Sequence, residues 1–76
     1  MTKTEHLQRI RARCEELIGA YLFEHEPDAR VAGWRATIAA IDGLHRLINL
    51  GEGTVDYDIA CQTRDSIIAT WPEELL

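Results

Sequence analysis

The stretch from Val31 to Leu50, VAGWRATIAAIDGLHRLINL, constrains the fold more than any other part of the chain. At about 100° per residue, Arg35, Asp42, Arg46 and Asn49 gather on one narrow arc. Trp34, Ile38, Ile41, Leu44, Leu47 and Ile48, with Ala36 and Ala40, cover most of the rest. An apolar arc that wide needs two neighbours, because a single partner helix covers only one stripe. The pattern therefore predicts a central helix held between two others.

The flanking segments supply those partners. Thr2, with Glu5 three residues on, has the spacing of a capping box. From there Leu7, Ile10, Cys14, Leu17, Ile18, Tyr21 and Leu22 recur at threes and fours. On the outer side of this helix, Glu5 with Arg9, Arg11 with Glu15 and Arg13 with Glu16 are spaced as local ion pairs. Pro27 among Glu24, Glu26 and Asp28 marks a break and the first turn of the central helix, since proline is tolerated there and not inside a helix. Gly33 and Gly43 each cost up to about 1 kcal/mol relative to alanine inside a helix; they read either as a close helix crossing or as tolerated glycines. Asp42 and Arg46 are spaced as an i,i+4 pair.

Gly51-Glu52-Gly53 ends the central helix and forces a tight reversal. Thr54 then caps a third helix, with Asp56 and Asp58 suited to the positive end of its dipole. Tyr57, Ala60, Cys61, Ile67, Ile68 and Trp71 form its stripe. Arg64 falls within that stripe, where it lays its stem across the core toward solvent or a carboxylate of another helix. Val55 and Ile59 fall on the opposite face. Thr70, Pro72 and Glu73 repeat the capping spacing and predict a last helical turn. The expectation is a single all-α domain over 1–76, an antiparallel three-helix bundle with helices at about 3–24, 28–50 and 55–70, short loops and a C-terminal helical turn.

Size and charge narrow the function classes. A chain of 76 residues buries only about 60% of the surface it exposes when unfolded, so self-association is one natural source of added stability. The net charge is −5, distributed unevenly. Residues 1–14 carry Lys3, Arg9, Arg11 and Arg13 against Glu5, a net +3, whereas residues 51–76 carry six acids against Arg64, a net −5. That balance argues against direct nucleic-acid binding, whose affinity rests on phosphate neutralisation. No run approaches the ~18 apolar residues of a membrane span, and the opening MTKTEHLQRI has no leader pattern, so a cytoplasmic protein is expected. Cys14 and Cys61 lie on apolar faces without metal-ligand spacing and read as small buried hydrophobes. His25 beside Glu24 and Glu26 is too small a donor set for a metal site. With one serine and one lysine, and no convergent nucleophile and base, no enzyme, catalytic residue, metal or cofactor is expected.

Three blocks, LQRIRARCEEL at residues 7–17, AGWRATIAAIDGL at 32–44 and IIATWPEELL at 67–76, resemble a group of small uncharacterised proteins encoded by phages and prophages. That resemblance implies a protein of a bacterial virus acting inside a host cell, and it brings no functional residues with it. In that setting the leading expectation is a non-enzymatic, anti-CRISPR-like inhibitor that binds a host protein, a nucleic-acid-binding defence complex being the natural target for an acidic surface. Its expected contacts are Glu52, Asp56, Asp58 and Asp65, with Glu73 and Glu74 behind them. The alternative is a homo-oligomeric assembly or regulatory module, a homodimer in the simplest case, whose interface uses Val55, Ile59 and Arg64.

Overall fold

The computed structural model describes residues 1–49, 51 and 53–75. They form three α-helices, α1 (Lys3–Glu24), α2 (Ala29–Ile48) and α3 (Val55–Thr70), followed by a 3-10 turn at Glu73–Leu75. Each helix packs on the other two, making an all-α three-helix bundle.

Each helix start has a local chemical cause. The Thr2 hydroxyl oxygen accepts from the Glu5 amide at 3.1 Å, and Asp28 accepts from the Arg30 amide at 2.8 Å. Asp28 is thus the cap of α2, and Pro27 precedes the helix rather than sitting in its first turn. The α2–α3 connection turns on Gly51 and Gly53, with φ of 97° and 91°, a region that strains any side chain with a Cβ. Thr54 then accepts from the Tyr57 amide at 3.0 Å and starts α3. At the other end of α3 the Thr70 hydroxyl donates back to the Ser66 carbonyl at 2.8 Å, so it closes one helix instead of capping the next turn.

The core is a compact cluster of Leu7, Ile10, Cys14 and Ile41, with Trp34, Ile38, Ile67, Ile68 and Trp71 packed around it. Val31, Leu44 and Ala60 are buried as well. Axial register is set by polar contacts at the rim. Arg11 forks onto Asp42, Nε to Oδ1 at 2.8 Å and Nη2 to Oδ2 at 3.2 Å, and Gln8 meets His45 at 3.1 Å. These fix α1 antiparallel to α2. Lys3 reaches Asp65 at 3.1 Å and Arg13 Nε donates to the Leu75 carbonyl at 2.8 Å, which fixes α3 parallel to α1.

Beyond Trp71 the α1–α2 hairpin continues as a two-helix tip. Tyr21 clasps it: the ring stacks on His25 at 4.4 Å, meets Trp34 edge-on at 5.9 Å, lies 5.7 Å from the Arg30 guanidinium, and its hydroxyl donates to Asp28. The resulting molecule is long and thin, 46 × 22 × 16 Å.

The glycines inside the helices do not mark crossings. A Cβ added at Gly19, Gly33 or Gly43 meets nothing within 4 Å. Replacing Gly19 and Gly33 by alanine therefore removes a helix-propensity cost without a clash, and each substitution is expected to stabilise the fold by about 1 kcal/mol. Thermal melts followed by circular dichroism check this; a fall in the midpoint would place an unseen neighbour at that site.

Candidate functional site

The outer face of α3 and the groove beside it are the parts of the surface best placed to act. Asp56 and Asp58 stand in the first turn of α3, held in place by the Thr54 cap, where the helix dipole favours negative charge. Both are exposed and neither makes an ion pair among the described residues. Next to them Val55 is 74% and Ile59 54% exposed.

The other candidates behave differently. Asp65 is committed to the fold, taken by Lys3 of α1 and by Arg64, both at 3.1 Å. The Lys3 bond first and the Arg64 bond second hold its carboxyl below the usual range. Arg64, with a side chain only 17% exposed, turns onto its immediate neighbour instead of onto a carboxylate of another helix. Glu52 lies outside the described residues. Thus Asp56, Asp58, Val55 and Ile59 are left exposed on α3, whereas Asp65, with Arg64 beside it, ties α3 to Lys3 of α1.

Between α2 and α3 an open groove of about 290 Å³ is lined by Ala36, Thr37, Ala40, Ile67, Thr70 and Trp71. It is largely apolar, and the indole Nε1 of Trp71 is buried without a hydrogen-bond partner among the described residues. Phe23, 89% exposed at the hairpin tip, is a further apolar feature. Sequence periodicity had placed it on no stripe.

Charges elsewhere serve the architecture. The Arg11 hydrogen bonds hold Asp42 below the ordinary carboxylate range, and Arg11 itself is raised, first by Asp42 and then by Glu15 at 2.6 Å. Asp42 thus pairs across helices and not with Arg46, which contributes only at longer range. Arg13 takes Glu16 at 3.0 Å. The Tyr21 hydroxyl lowers Asp28, and that bond in turn raises Tyr21.

These shifts predict an acid limb. A carboxyl whose folded pKa lies below its unfolded value of about 4 adds stability above that value, and the gain drains as pH falls toward the folded pKa. Asp42→Asn should therefore destabilise at neutral pH and flatten the loss of melting temperature below about pH 4. Melts across that range test it; an acid limb as steep as in the unaltered chain would remove Asp42 from the account.

Among the described residues no group of three or more His, Cys, Asp or Glu is arranged to hold a metal ion, and no helix is long and apolar enough to cross a membrane. Comparison of the chain with protein-family models, curated proteins and solved structures finds no match.

Proposed function

We propose that this chain is a non-enzymatic protein-binding inhibitor, and that the acidic start of α3 is the part that meets its target. The observation that carries the reading is the pairing of two uncommitted carboxylates, Asp56 and Asp58, with exposed apolar side chains at Val55 and Ile59 on one rigid helix. Fixed negative charge beside apolar surface speeds encounter with a basic surface and penalises acidic competitors. A basic nucleic-acid channel in a host defence complex is a target of that kind. The resemblance to small phage-encoded proteins supplies the setting, a bacterial cell in which a virus gains by silencing such a complex.

The test is genetic and direct. Bacteria carrying an RNA-guided defence system that restricts a phage are given this chain, and plaque formation is counted. The expected result is restored plaquing, lost in the Asp56→Lys, Asp58→Lys double variant while its circular dichroism is unchanged. Restriction left intact across a panel of such systems would contradict the inhibitor reading.

A further inference from the structure

We infer that the segment from Trp71 to Leu75 is a latch, which swings off the bundle while the three helices stay folded. Its two ends, Trp71 and Leu75, are half-buried apolar side chains, and Pro72, Glu73 and Glu74 between them are exposed. The last bond of the α3 ladder runs from the Trp71 amide to the Ile67 carbonyl at 3.0 Å. Trp71 itself is extended, with ψ of 127°, the conformation that a following proline favours. Pro72 has no N–H to add to the ladder. The hinge is therefore already built, at a point where the chain turns without breaking a helical hydrogen bond.

One polar contact closes the latch. Among the described residues, the hydrogen bond from Arg13 Nε to the Leu75 carbonyl, at 2.8 Å, is the only one that joins residues 72–75 to the rest of the bundle. The Leu75 amide turns back on the Pro72 carbonyl at 3.0 Å, within the latch. Glu73 and Glu74 make no ion pair among the described residues. Arg13 also holds Glu16 of its own helix at 3.0 Å, so its charge stays paired when Leu75 leaves. At the hinge, the closed state carries a penalty: Trp71 Nε1 is buried with no acceptor among the described residues, and opening returns it to water.

The bundle does not depend on the latch. The buried cluster of Leu7, Ile10, Cys14 and Ile41 contains no latch residue, and Lys3 still ties α3 to α1 through Asp65. A segment held this way opens in a step of its own, at less cost than unfolding the whole. What opening changes is the α2–α3 groove. Trp71 is one of its walls, and the same ring packs on the central cluster beside Trp34 and Ile38. With the ring in place the groove ends on it; with the ring away, the groove runs on to the flank of the core. The latch thus sets how much apolar surface the α2–α3 face presents, whether or not the chain is an inhibitor.

Hydrogen exchange on the full chain, followed by NMR across low concentrations of denaturant, tests this, with the Ile41 amide as the probe of whole-molecule unfolding. Relative to its intrinsic rate, the Trp71 indole proton should exchange at least about a hundredfold faster than that amide. Its rate should be almost independent of denaturant, because a local opening exposes little surface. Arg13→Gln should speed the indole proton by roughly tenfold, the worth of a hydrogen bond from a charged donor. An indole proton that follows Ile41 at every denaturant concentration, or one indifferent to Arg13→Gln, would overturn the latch. Should Arg13→Gln fail to fold, the denaturant dependence of the unaltered chain decides alone.

Discussion

Ile41→Ala is expected to destabilise the fold by about 3–4 kcal/mol, among the largest effects of any truncation to alanine in the chain. Ile41 is fully buried and is the one α2 residue in the central cluster with Leu7, Ile10 and Cys14 of α1. Removing three carbons there forfeits their transfer energy and leaves a cavity that three helices, already pinned by Arg11–Asp42 and Lys3–Asp65, close only in part. A domain of this length has on the order of 4–11 kcal/mol in total, so the substitution removes a large share of it. At roughly 4–8 °C per kcal/mol, the melting temperature should fall by about 15–30 °C. The same truncation at Ile59, which is 54% exposed, should cost the monomer no more than about 0.5 kcal/mol in dilute solution. Equal costs at the two positions would mean that the core is not where the packing places it.

Trp71 should split by substitution. Its ring packs against the central cluster from the end of α3, so Trp71→Ala should cost about 2–3 kcal/mol through lost contact and a widened groove. The indole Nε1, however, is buried without a partner among the described residues, and such a donor penalises the folded state by about 1–3 kcal/mol. Trp71→Phe keeps most of the ring and removes that donor, so its net effect should lie near zero. Chemical denaturation of the two variants measures the gap directly. If phenylalanine proves as damaging as alanine, the indole N–H has a partner and this part of the packing is misassigned.

Much of the bundle was legible because periodicity reports which side of a helix faces inward. The wide apolar arc of α2 does meet two neighbours, α1 and α3: Ile41 and Leu44 are buried, and Trp34 and Ile38 pack around the core. Loop chemistry was legible too, since Gly51 adopts a positive φ and Thr54 caps the helix that follows. Periodicity carries no information on how far one helix slides along another. For that reason Asp42 read as a local partner of Arg46, whereas the structure gives it to Arg11, whose two-pronged bond from another helix outcompetes a single contact on the same one. Arg64 likewise depended on a neighbour that helical spacing does not predict, the adjacent Asp65. For the candidate site, the exposure of Val55 and Ile59 followed from their angular positions, and the place of Asp56 and Asp58 in the first turn of α3 from the Thr54 cap. The groove between Ala40 and Ile67 emerges only when α2 and α3 are set side by side.

Thiol labelling tests the packing of α1 against its two neighbours most directly, because the chain carries one fully buried cysteine and one at the margin. Cys14 has no exposed surface, and burial raises its thiol above the usual pKa, while Cys61 on α3 is only half-buried. With a small disulfide reagent under native conditions, Cys61 should react readily and Cys14 only at the rate of global unfolding, accelerating in step with Ile41→Ala. Cys14 reacting as fast as Cys61 in the intact protein would mean that α1 does not sit in the bundle, and the three-helix account would fail with it.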